Sequence, residues 1–168
     1  MNVLVIRHAI AEDRDVFART EKDDDERPLT DEGRKKMARG AQGLHALVPK
    51  LDLIASSPLV RAQQTAAIVA KEYGTRVDET TKVLEPDARL EGFVKWASSH
   101  EEKETIAVVG HEPHLSALVT WLMSGLDDSR LELKKGAACF LGFSGRPRRA
   151  GAVLHWLHTP ATLRQLAE

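Results

Sequence analysis

Cysteine is nearly absent. Cys139 stands alone among 168 residues, which excludes an internal disulfide and any zinc site built from several thiolates. Its setting, Ala138-Cys139-Phe140-Leu141, points to packing in a buried strand rather than to a reactive thiol. Nowhere do 18 apolar residues run together, so no membrane-spanning helix is expected, and the N-terminus lacks a basic region followed by a long apolar segment. A cytoplasmic location is the expectation. An excess of one charge is missing too: a net charge of -1 gives no general electrostatic footing for nucleic acid or an acidic membrane surface. No internal repeat, low-complexity tract or linker interrupts the chain, so one domain over residues 1–168 is expected, long enough for a sizeable core.

What is present begins with Val3-Leu4-Val5-Ile6. Four consecutive apolar residues, three of them β-branched, read as a short strand buried on both faces. The run stops at Arg7-His8, so both side chains reach the rim of the sheet, where open α/β folds place their ligands. Arginine offers a fixed fork of donors for phosphate, and histidine near neutral pH is a competent nucleophile or proton carrier. A second buried run, Thr105 to Val109, ends in Gly110-His111-Glu112-Pro113 and delivers another histidine in the same way.

Between these strands, Asp13 to Arg27 is polar and contains the charge run Glu21 to Glu26, which reads as a solvated, mobile loop. Pro28-Leu29-Thr30-Asp31-Glu32 is a helix start with Thr30 as cap. Met37, Ala41, Leu44 and Val48 then form one apolar face, while Gly40 and Gly43 suggest close packing on the sheet. Leu51 to Ala55 is a further strand. It runs into Ser57-Pro58, read as cap and first helical position, which places Arg61 in the first turn beside free N–H groups and the positive end of the dipole. Short strands are expected at Arg76-Val77 and around Val83-Leu84, then a helix through Leu90, Phe93, Val94 and Ala97 capped by Asp87. The tail reads as two paired strands, Ala137 to Phe143 and Ala152 to Leu157, joined by an arginine-bearing soluble loop, with a closing helix from Thr159. Alternating strands and helices imply an α/β three-layer sandwich: a mostly parallel central sheet with helices on both faces. Its strand ends would gather Arg7, His8, Arg61 and His111 into a cationic pocket suited to a phosphoryl group.

The combination resembles the histidine phosphatase, or phosphoglycerate mutase-like, superfamily. Arg7-His8 is similar to that family's Arg-His-Gly signature, with Ala9 where glycine is usual. Ser56 to Ala66 resembles the second motif and Gly110-His111-Glu112-Pro113 the third. The short length, Arg27-Pro28-Leu29-Thr30-Asp31-Glu32-Gly33 and Lys135 to Phe140 are most similar to the SixA-type phosphohistidine phosphatases. The resemblance implies a phosphoglycerate mutase-like fold and a hydrolase needing no cofactor or metal. His8 would become phosphohistidine, Arg7 and Arg61 would hold phosphoryl oxygens, and His111 would stabilise their charge. Arg27 would bind substrate at the pocket mouth. Glu85 is the candidate acid in the region where sugar-phosphate members carry one, and a turn residue is the other reading. His45, His100, His114, His155 and His158 match no motif and read as structural or exposed. The implied partners are phosphate and a phosphohistidine-bearing protein such as a histidine phosphotransfer domain. The alternatives are a small-molecule phosphomonoesterase or mutase of the same superfamily, and a catalytically weak phosphate-binding module.

Overall fold

The computed structural model describes residues 1–167. Six strands form one sheet in the order β3-β2-β4-β1-β5-β6: β1 Asn2–Arg7, β2 Leu53–Ser56, β3 Glu79–Thr80, β4 Thr105–Gly110, β5 Ala138–Phe143 and β6 Ala152–His158. β3, β2, β4 and β1 run parallel, and β5 and β6 add an antiparallel edge. Alternation along β1 divides the core. Val3 and Val5 face α4 (Leu90–Ser98) and α5 (His114–Ser124), whereas Leu4 and Ile6 face α2 (Asp31–Leu47), α3 (Val60–Glu72) and α6 (Pro160–Gln165). A strand whose two faces are both covered must be apolar at every position, which is why Val3 to Ile6 shows no alternation. The expected three-layer α/β sandwich is the architecture found.

Register brings the strand ends together. Arg7 pairs with Gly110 across β1 and β4, and Ser56 pairs with Val109 across β2 and β4. One step beyond, His8 N–H donates to Gly110 O at 3.0 Å and Ser57 N–H to Val109 O at 2.9 Å. Because β4 lies between β2 and β1, His111 has Ser57 on one side and His8 on the other.

Several expectations need correction. The segment from Asp13 to Arg27 is not a plain solvated loop: Asp13 caps a short helix, α1 (Arg14–Ala18), and a 3-10 turn covers Asp24–Glu26. Neither Gly40 nor Gly43 of α2 meets the sheet, and a Cβ at Gly40 would meet nothing within 4 Å. A Cβ at Gly43 would collide with the Leu163 carbonyl of α6, and one at Gly33 with the Ile10 carbonyl. The expected strands at Arg76-Val77 and Val83-Leu84 are replaced by β3 at Glu79–Thr80 and a 3-10 turn at Lys82–Leu84. Arg89, not Asp87, precedes α4, and no side chain caps that helix. Within the β5–β6 connector, Arg149 is not merely a solubilising group, since it donates to Gly125 O and lies over the Trp121 ring at 5.8 Å. Thr30 does cap α2, accepting from Gly33 N–H at 2.9 Å. Cys139 is fully buried, and burial pushes its thiol up to about 12. Among the described residues no helix is long and apolar enough to cross a membrane.

Candidate active site

The sheet edge holds a cavity of about 360 Å³ lined by Arg7, His8, Arg27, Arg61 and His111. Every residue of the expected pocket is therefore present in one place. His8, Arg61, His111 and Arg27 are all nearly inaccessible, with 6%, 3%, 2% and 6% of their surfaces exposed. Arg27 thus belongs to the cavity wall.

His8 is held in a defined form. Its Nδ1 lies 2.7 Å from Ala9 O. A carbonyl only accepts, so Nδ1 carries the proton and Nε2 of the neutral ring keeps its lone pair. Burial pushes the His8 pKa down to about 3; the Ala9 hydrogen bond opposes this, and the charges of Arg61, Arg7 and Arg27 reinforce it. Ala9, standing where the family signature has glycine, has no positive φ, so a side chain costs nothing there. Its N–H donates to Thr65 Oγ1 at 3.0 Å, and Thr65 in turn donates to Arg61 O at 2.7 Å. Thr65 thus ties the first motif to the second through Ala9 N–H.

The guanidinium groups are anchored at one edge and open at another. Arg7 donates to Leu133 O at 2.6 Å, yet its buried Nε has no partner among the described residues. Arg61 donates to Asp24 O at 2.9 Å and pairs with the Asp24 carboxylate at 3.3 Å, while its Nε is likewise buried and unpaired. Arg27 binds the same carboxylate at 2.8 Å and Glu12 O at 2.8 Å. That pairing with Arg27, with Arg61 and Arg14 behind it, holds the Asp24 carboxyl below its ordinary range. The charge run read as solvent-facing is therefore the clamp that aims two arginines. Buried donors without partners cost roughly 1–3 kcal/mol each.

His111 has its Nε2 2.8 Å from Ser57 Oγ, and its ring centroid is 5.2 Å from that of His8. Its Nδ1 is buried and unpaired among the described residues. Burial, then the neighbouring His8 and Arg61, push its pKa down to about 2. Ser57 is the site residue that sequence reasoning missed. It was expected to cap α3, but Leu59 occupies that position with no side-chain cap, and Arg61 is still in the first turn. The Ser57→Ala variant should let the His111 ring rotate, and a lost hydrogen bond of about 0.5–1.5 kcal/mol predicts a rate lower by roughly two- to tenfold. An unchanged rate with a lowered melting temperature would make the contact purely structural.

Lys135, Glu12, Asp13, Arg14, Pro86 and Glu112 complete the lining. Lys135 precedes Gly136, whose φ of 81° and N–H bonds to both Arg7 O and His8 O fix the turn over β1. Only the Lys-Gly pair before β5 could have signalled it. Glu112 accepts from Ser116 N–H and hydroxyl, holding the first turn of α5. Glu85 does not line the cavity; its carbonyl closes a turn with Ala88 N–H at 3.2 Å. Among the described residues no cluster of three or more His, Cys, Asp or Glu side chains could hold a metal ion.

Buried neutral imidazoles make stability depend on pH: His8 and His111 carry the largest shifts, and burial lowers the pKa of His114 in the same direction. His8 and His111 have folded pKa values far below the ordinary 6.5, so below pH 6.5 the unfolded chain binds protons that the folded chain refuses. Stability is therefore full above about pH 6.5 and falls as pH drops towards 3, by up to about 1.4 kcal/mol per pH unit for each ring. Denaturant midpoints between pH 7 and 5 should show this slope, and His111→Asn should flatten it. Equal slopes in the two proteins would contradict the assignment.

Residues 3–88 match the histidine phosphatase superfamily (branch 1). An uncharacterised protein of Picosynechococcus is 32% identical over 161 residues, covering 95% of this chain and 91% of its own length. Among solved structures, the protein histidine phosphatase SixA complexed with tungstate superposes with a TM-score of 0.82 at 20% identity, over 97% of this chain and 99% of that one. The alpha-ribazole phosphatase of Shigella flexneri superposes at 0.71, also at 20% identity, over 95% and 97%. At such identities the structures speak for the fold, and the matched sequence speaks for the family. The chain belongs to the histidine phosphatase superfamily, branch 1.

Proposed function

We propose that this protein is a phosphohistidine phosphatase working through a covalent phosphoryl group on His8. The observation that carries this reading is the Nδ1 bond to Ala9 O, which leaves the Nε2 lone pair on a ring kept neutral inside a cavity of arginines. In the first step Nε2 of His8 bonds to phosphorus while the bond from phosphorus to the substrate's imidazole breaks. The substrate ring, already protonated from solvent at its far nitrogen, takes the bonding pair and leaves as neutral imidazole. Water then attacks the phosphoryl-His8, releases phosphate and returns the lone pair to Nε2. The anchored guanidinium groups of Arg7 and Arg61 hold the equatorial oxygens, with Arg27 at the wall, and His111 faces the charge that the incoming dianion brings. Positioning and charge stabilisation are most of what phosphoryl transfer requires.

A second reading, hydrolysis of a small phosphate ester, is favoured by one observation: Glu12, a half-buried carboxylate, lines the cavity. The test is a side-by-side assay. The protein is incubated with a histidine-phosphorylated phosphotransfer domain and with a panel of phosphate monoesters, and released phosphate is followed. Rapid loss of acid-labile phosphate from the domain is expected. Turnover confined to one ester would overturn the proposal.

A further inference from the structure

A second hollow adjoins the phosphate cavity. It encloses about 170 Å³ between Ile10, Met37 and Gly40, with Lys36, Lys135 and Arg164 around it and, among the described residues, no acidic side chain in its lining. Lys135 lines both spaces. Met37 is buried, whereas Lys36 and Lys135 are exposed, so the hollow pairs an apolar floor with a cationic rim. Glu32 pairs with Lys36 and is the neighbouring counter-charge.

Gly40 is what keeps the floor open. Gly33 and Gly43 in the same helix are pressed against carbonyls and admit no side chain, but a Cβ at Gly40 would meet nothing within 4 Å. Glycine inside a helix weakens it relative to almost any other residue. At Gly40 no neighbour requires that weakness, and the one local consequence is an empty space beside the catalytic cavity.

Resting on the phosphohistidine reading, we propose that this hollow is a docking subsite for the phosphoprotein. One apolar side chain of the substrate enters it, and carboxylates on either side of that residue meet Lys36, Lys135 and Arg164. The size selects the occupant: small-molecule pockets usually enclose about 300 Å³ or more, and this one suits a single side chain. The charge selects the flanks, since a cationic rim favours an acidic protein surface. The shared Lys135 sets the spacing, because it lines both the hollow and the cavity that holds His8.

The test compares two substrates of one chemistry, a phosphotransfer domain phosphorylated on histidine with phosphoramidate and free phosphohistidine. Gly40→Leu fills the floor without opposing the helix, and Lys36→Glu with Arg164→Glu reverses the rim. Neither variant touches a residue placed in the phosphate site. With each, the KM for the domain should rise roughly tenfold, as for loss of an interface anchor, while free phosphohistidine is hydrolysed at the wild-type rate. Equal losses on both substrates, or no loss on either, would overturn the subsite. If the wild-type protein releases phosphate from neither substrate, the functional reading itself fails, which is a different result.

Discussion

Replacing His8 with alanine is expected to abolish turnover while leaving a folded protein that still binds phosphate. The imidazole supplies the only lone pair proposed to bond to phosphorus, so its removal should cost on the order of 10⁴–10⁶ in rate, the scale seen when a nucleophile is deleted from a coupled site. That is about 5–8 kcal/mol of transition-state stabilisation. The fold should survive. Among the described residues the ring's one hydrogen bond is to the adjacent Ala9 O, and it is held neutral, so deletion strands no buried charge. Arg7 and Arg61 keep their anchors at Leu133 O and Asp24, and inorganic phosphate should still protect the variant against thermal unfolding. A variant that retains substantial activity would show that another group, or water directly, attacks phosphorus.

The second large effect concerns leaving groups. A departing alkoxide needs a proton, and help from a positioned acid is typically worth about 10²–10⁴-fold. A phosphohistidine needs no such group, because its imidazole leaves as a neutral ring. Glu85 lies outside the cavity lining, and both hydrogen bonds recorded for the Glu112 carboxylate hold the start of α5. Phosphohistidine should therefore be preferred over phosphate monoesters by at least about 10²-fold, with Glu85→Gln changing neither rate. Glu12→Gln is the sharper control, since Glu12 does line the cavity. Efficient ester hydrolysis that disappears in Glu12→Gln would assign that carboxylate as the acid and favour the small-molecule reading.

The two histidines were legible in the sequence because each follows a run that only a fully buried strand explains. Val3 to Ile6 and Thr105 to Val109 announce where the sheet ends, and an ionisable residue at that point has one place to go. Arg61 was legible because Ser-Pro marks a helix start whatever residue caps it. Ser57 was not, because capping and bonding across strands draw on the same hydroxyl; the choice depends on His111, 54 positions away. Asp24 was hidden for a related reason. A run of six charges reads as solvated until two arginines, one of them 37 residues away, are found around its fourth member. The misplaced short strand, β3 at Glu79–Thr80, reflects an edge position, where pairing with β2 decides the structure and composition carries little signal.

The proposed mechanism stands or falls on where the phosphoryl group goes. A histidine-phosphorylated domain carrying radiolabelled phosphate is mixed with the protein and quenched in alkali on the millisecond scale, and the digested peptides are mapped by mass spectrometry and phosphorus NMR. A transient label is expected on this chain at His8, bonded to Nε2, rising before free phosphate appears and absent from the His8→Ala variant. Label on His111, or free phosphate released with no labelled intermediate at any time, would contradict the mechanism.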